Sequence, residues 1–268
     1  MRSLCACGRT LRLEGFSPSF ERLAGTLLDP AADEPAITLT HEGAWEPVGA
    51  CSYWPEVHPS PDPDWPFEAA SRLWHCRFHP ARGLFRFGLR PLRTEPTPKR
   101  VSHLLRFVVQ IDATLRGGRF LHAAALVRAG VAGLFVGPSG IGKTTLARKV
   151  PAAGRLADDA TVIIPDDGPR LVAWRSPFAG REGLPAGARE VPVAAVFLLH
   201  QAREQALARV SPSEAFAALV PHVTPLRAPW APGNPLEPLA GLVERVPVFR
   251  LGATLDTDPL VVLEAALA

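Results

Sequence analysis

Gly137-Pro138-Ser139-Gly140-Ile141-Gly142-Lys143-Thr144 is the stretch on which the reading of this chain turns. It fits G-x-x-x-x-G-K-[ST], the phosphate-binding loop pattern called Walker A. Before it, Val131-Ala132-Gly133-Leu134-Phe135-Val136 is a short apolar run of strand type. After it, Thr145-Leu146-Ala147-Arg148-Lys149-Val150 reads as a helix, stopped by Pro151 and Gly154. Strand, glycine loop and helix is the context such a loop requires. Glycines let successive backbone N–H groups turn inward as an anion nest, and a helix N-terminus adds about half a positive charge at the same point. Lys143 can then reach the β- and γ-phosphates and the Thr144 hydroxyl can hold Mg²⁺, within a cradle running from Gly137 through Thr144 to Thr145.

Upstream, Arg119 to Arg128 reads as a strand, and only Ala129-Gly130 separates it from the strand that enters the loop. Two residues cannot make a parallel crossover, which needs a dozen or more. The two strands are therefore expected to form a hairpin, which makes the sheet mixed. Further upstream, Val101, Leu104, Leu105, Val108 and Leu115 recur at helical spacing, with Phe107, Val109 and Ile111 broadening the apolar face and Gly117-Gly118 ending it.

Downstream, Asp158 and Asp159 stand directly before an apolar strand, Thr161 to Ile164. Pro165 to Pro169 is a turn, and Leu171 to Trp174 a return strand. Arg175 to Gly183 is a polar loop. Val193 to Leu199 is continuously apolar and fits a buried central strand. Ser211-Pro212-Ser213-Glu214 is a capping box with proline at the first helical position, opening a helix to about Val220. Residues 221–238 hold six prolines and read as a loop. Val246 to Leu251 is a last strand, and Asp258-Pro259 caps a short C-terminal helix. The overall expectation is an α/β (α+β) fold.

Residues 1–100 have another texture. Ala36 to Thr40 is a β-type run, and Leu73 to His79 alternates with period two. Gly83 to Leu89 follows the turn Pro80-Ala81-Arg82, so the pair predicts a hairpin. A small, mostly antiparallel β-rich unit is expected for 1–100, and a catalytic domain for 101–268. His75 and His79 read as strand side chains. Cys5-x-Cys7, with Cys76 or His79, does not follow the usual paired zinc spacing, so isolated thiols are the simpler expectation for Cys5 and Cys7.

Composition narrows the function classes. Of the 268 residues, 47% are hydrophobic, enough to bury a core, and the formal net charge is only +3. With no block of like charges, nucleic-acid binding is not expected. No run of about 18 apolar residues exists, so no membrane span is expected. The apolar stretch at the N-terminus is too short for a signal peptide, and the expected location is cytoplasmic.

Leu121-His122-Ala123-Ala124-Ala125, the two-residue turn, the phosphate loop and Leu156-Ala157-Asp158-Asp159 together resemble the catalytic domain of HPr kinase/phosphorylase, whose nucleotide site is similar to that of phosphoenolpyruvate carboxykinase. The likeness is greatest to the short HPr-kinase-like proteins of bacterial peptide-modification gene clusters. The resemblance covers about residues 100–255 and implies a P-loop core with a mixed sheet, ATP and Mg²⁺ as cofactors, and a phosphoryl acceptor. That acceptor would be a hydroxyl of a peptide, protein or small molecule. It also implies roles. Gly137 to Thr144 would wrap the phosphates, Asp159 would be the general base, Asp158 and Thr144 would serve the metal, and His122 would lie near the reacting phosphate. Arg175 or Arg181 could bridge the transferring group, and the sequence does not choose between them. The glutamate-valine-arginine-glycine motif of true HPr kinases has no counterpart here; Glu182-Gly183 is a poor substitute. HPr as substrate and the hexamer of that family are therefore not implied, although a homo-oligomer remains open. Two rival readings are carried: a nucleotide-binding module without transfer, and a carboxykinase-like enzyme. A paired carboxylate beside the loop counts against the first, and the lack of a spaced His/Lys/Asp metal set against the second.

Overall fold

The computed structural model describes residues 2–30, 36–45, 55–91, 97–166, 170–175, 190–223, 234 and 236–268. The chain forms two compact units, one drawn from the N-terminal 115 residues and one beginning at Arg116. The sequence reading divides the chain at 100/101. The structure places the division after the helix at 98–115, because that helix packs on elements of the first unit.

Eight strands make one sheet in the first unit: β1 (Arg2–Ala6), β2 (Arg9–Glu14), β3 (Asp29–Pro30), β4 (Ile37–Ala44), β5 (Glu56–Pro59), β6 (Phe67–Ala70), β7 (Trp74–His79) and β8 (Leu84–Leu89). Their order is β3-β1-β2-β4-β8-β7-β6-β5. The expected β7–β8 hairpin is present, with Trp74 opposite Leu89 and His79 opposite Leu84. The β2–β4 and β4–β8 pairs are parallel. The first needs a crossover, and α1 (Pro18–Leu27) lies in it. The sequence reading missed this helix, although its start signal is plain: Ser17 accepts from the Phe20 N–H at 3.2 Å and Pro18 opens the first turn. The β1–β2 hairpin was missed too. It turns on Cys7 and Gly8, both at positive φ, so the buried Cys7 sits in a tight turn. α2 (Pro98–Leu115) is the predicted helix; its apolar stripe is buried except for Leu115, which is 42% exposed at the helix end. Trp74, Phe78 and Phe107 meet beneath the sheet, with Trp74–Phe107 ring centroids 4.8 Å apart.

The second unit holds β9 (Arg119–Leu121), β10 (Ala123–Arg128), β11 (Val131–Val136), β12 (Arg155–Ala157), β13 (Thr161–Pro165), β14 (Leu171–Trp174), β15 (Glu190–Gln201), β16 (Ala206–Arg209) and β17 (Val248–Ala253). The predicted β10–β11 hairpin is present, turning on Ala129 and Gly130 with positive φ at both, the geometry a two-residue hairpin turn requires. β15 is the long central strand and pairs parallel with β11 and β17. Helices α3 (Lys143–Arg148), α4 (Pro212–Leu219), α5 (Glu237–Arg245) and α6 (Pro259–Leu267) cover it. Alternation along β10 explains the layers. Ala123 and Ala125 join the cluster of Ala215, Leu219, Leu239 and Leu242 from α4 and α5. Ala124 and Leu126 join that of Leu146, Ala147 and Leu263 from α3 and α6. The sheet is thus held between two helical layers, an α/β arrangement with a mixed sheet, as expected.

Candidate active site

The predicted strand 119–128 is two strands, and the reason lies in pairing. β9 pairs with β13, Leu121 opposite Thr161. β10 pairs with β11 and β12, Ala125 opposite Ala157. The chain crosses from one part of the sheet to the other at His122, and again at Asp158-Asp159-Ala160 between β12 and β13. These two crossings face each other, so the sheet forks there. The buried Thr161 hydroxyl clips the fork, donating to the Ala123 carbonyl at 2.9 Å. A short 3₁₀ turn, Val220–His222, closes its other side. There the His122 N–H donates to the His222 carbonyl at 2.8 Å, and Leu121 bridges Val223.

A fork leaves backbone without ladder partners and side chains without neighbours on one side. His122 and Asp159 occupy that gap. His122 Nδ1 lies 3.3 Å from Asp159 Oδ1, with the side chains 30% and 45% exposed. Asp158 is 6% exposed and buried beside them. The adjacent carboxylates therefore have different environments, the requirement for different roles.

The phosphate loop leaves β11 at Gly137. Gly140 and Gly142 have φ of 81° and 117°, and a Cβ at either would meet open space. The constraint on these glycines is the left-handed backbone, not crowding. Pro138, Ser139 and Gly140 are exposed, Thr144 is half-buried and Thr145 exposed. Lys143 is 4% exposed and donates to the Gly137 carbonyl at 2.7 Å and the Pro138 carbonyl at 3.0 Å. Burial pushes its pKa down, and the Asp159 charge pulls it back up. That coupling links the loop lysine to the fork. α3 is only six residues long, so the loop amides and Lys143, more than a helix dipole, supply the positive field.

The structure brings His122 and Asp159 together, sets Asp159 near enough to act on the Lys143 charge, and buries Asp158 next to Asp159 in the chain. Arg175 follows β14, while Arg181 and the Ser176–Gly180 loop lie outside the described residues. Sequence reasoning missed His222. It stands in a proline-rich loop without periodic spacing, and no motif singles it out. Burial, followed by the charges of His122 and Lys143, lowers its pKa.

Residues 99–227 match the family model of the SynChlorMet cassette protein ScmC, a little under half of the chain. The expected likeness to proteins of peptide-modification gene clusters is borne out over that segment. Among solved structures, the Hpr(Ser) kinase/phosphatase from Coxiella burnetii is similar at 18% identity and a TM-score of 0.34, covering 56% of this chain and 88% of that one. A comparison with curated proteins finds no match.

Proposed function

We propose that this chain is an ATP- and Mg²⁺-dependent kinase. It would pass the γ-phosphoryl group to a hydroxyl, of Ser or Thr, on a peptide, small protein or small molecule. The observation that carries this reading is the Asp159–His122 pair, 3.3 Å apart and charge-coupled to the phosphate-loop lysine. Pure nucleotide binding has no use for such a pair. The donor set fits the cofactors: left-handed glycines open the loop backbone, and the buried Lys143 ammonium already binds carbonyl oxygens of that loop. Thr144 and Asp158 would hold Mg²⁺, an ion that takes few protein ligands and keeps several waters. When bound, MgATP supplies the activated phosphoryl group and a metal charge to neutralise it.

The chain's own residues do the rest. Loop amides and Lys143 hold the phosphates in place. His122 lies against Oδ1 of Asp159 and would orient that carboxylate toward the acceptor. Asp159 takes the proton of the acceptor hydroxyl as its oxygen bonds phosphorus and the bond to the departing ADP breaks.

The test is ATP binding and ATP consumption, with Mg²⁺ and a panel of Ser-containing peptides, for wild type, Lys143→Ala and Asp159→Asn. Lys143→Ala is expected to lose nucleotide affinity. Asp159→Asn is expected to bind ATP as wild type does and to lose turnover by about 10²-fold or more. Equal turnover in wild type and Asp159→Asn would sink the assignment of the base. Binding without turnover in any condition would favour a nucleotide-binding module.

A further inference from the structure

We propose that the side chain of His222 is a further phosphate-contacting group of this site, forming with His122 and Lys143 a three-sided basic pocket for the bound nucleotide's phosphates. This rests on the nucleotide half of the reading above. The motif does not supply it, since His222 is 79 positions beyond Lys143 in the chain. Its placement comes from the fork. The His222 carbonyl accepts the His122 N–H at 2.8 Å, and the next residue, Val223, bridges Leu121. These two contacts fix the 3₁₀ turn Val220–His222 against the strand break that carries His122. Its ring is half-buried and lies within the fields of both His122 and Lys143. Burial, the His122 charge and the Lys143 charge all act in one direction on it, against protonation. Asp159 already serves His122 and offsets part of the Lys143 charge. Three basic groups thus lie near the Asp159 carboxylate, with the buried Asp158 next to it in the chain. An arriving phosphate anion opposes the repulsion at His222, favours protonation of the ring and turns it into a charge-assisted donor.

The experiment is calorimetric titration of MgATP into wild type and His222→Gln near pH 7, in two buffers of different ionisation enthalpy. The pair of buffers gives the protons taken up on binding. Substitution leaves the main-chain anchor to His122 in place, so loss of the ring is separated from loss of the turn. Wild type is expected to take up a larger fraction of a proton than His222→Gln and to bind MgATP about threefold to tenfold more tightly. In parallel, the wild-type His222 ring signals are followed by NMR during the same titration, which needs no variant to fold. They are expected to move toward the protonated position. If MgATP binds but proton uptake, affinity and ring signals are indifferent to His222, the inference is overturned and the kinase reading stands. If wild type binds no MgATP, both fall together.

Discussion

Each unit of this protein holds a broad sheet and histidines close to polar partners, but the second sets a histidine beside a carboxylate that acts on the phosphate-loop lysine. In the first unit the sheet is continuous from β3 to β5, and packing absorbs His103 and His75. His103 Nδ1 accepts from Trp74 Nε1 at 3.1 Å, both residues being buried. His75 stacks on Trp45 and lies 3.7 Å from Glu68 across the β6–β7 pair. In the second unit the sheet divides, and the division sets His122 opposite Asp159. A continuous ladder occupies its backbone groups and leaves side chains to pack. A fork releases backbone groups, and those groups then hold a histidine in place while its ring stays open. The position of a histidine relative to strand pairing therefore says more about its role than its strand alternation does.

The largest effect expected from this contrast is in the closed unit. Trp74 is fully buried and touches Phe87, Phe107 and the His103 ring. Trp74→Ala removes that volume and also the donor for His103 Nδ1. A loss of about 3–5 kcal/mol is expected from the cavity and the missing bond, read by chemical denaturation followed by far-UV circular dichroism. A loss under about 1 kcal/mol would mean that Trp74 does not organise this core.

Thr161→Val tests the fork. The swap keeps the shape and removes the hydroxyl that donates to Ala123 at 2.9 Å in a fully buried position. A cost of about 1–2 kcal/mol is expected. More informative is amide exchange: the His122 N–H, bonded to the His222 carbonyl, should exchange faster in the variant, while amides in the middle of β11 should not change. Uniform acceleration would show that Thr161 supports the whole sheet and does not clip the fork.

The phosphate loop, the β10–β11 hairpin, the central β15 and the capping box at Ser211 were legible in the sequence because each has a local cause. Glycine spacing, a two-residue turn, an unbroken apolar run and a Ser/Glu pair act within a few residues. Asp158 and Asp159 were legible as candidates because they stand at the start of a strand. The break at His122 was not. Leu121 to Leu126 is apolar throughout apart from His122, and only the long-range pairing of Leu121 with Thr161 and of Ala125 with Ala157 divides it. His222 was hidden for the same reason, since its place depends on a backbone bond to a residue 100 positions earlier in the chain. α1 is a different case: Ser17-Pro18 is a local start signal, while the parallel β2–β4 pair that the helix connects is a long-range feature.

The smallest effect concerns pH and separates structural from site histidines. Burial, only partly offset by Glu68, holds the His75 pKa below its ordinary value of 6.5. The unfolded chain then binds more protons than the folded one between pH 6.5 and the lower folded value, so stability is full above 6.5 and falls as pH drops through that window. His222 is lowered in the same direction, by burial and then by the His122 and Lys143 charges. The two should nevertheless part on adding MgATP. His75→Gln should flatten the slope of stability against pH by less than about 1 kcal/mol over that window, with or without nucleotide. His222→Gln should flatten it only in the nucleotide-free protein, because a bound phosphate opposes the burial and the repulsion that lower that histidine. Denaturation midpoints from pH 5 to 7.5, with and without MgATP, measure both slopes. An identical nucleotide response in the two variants would remove the distinction between a histidine held by packing and one held at a fork.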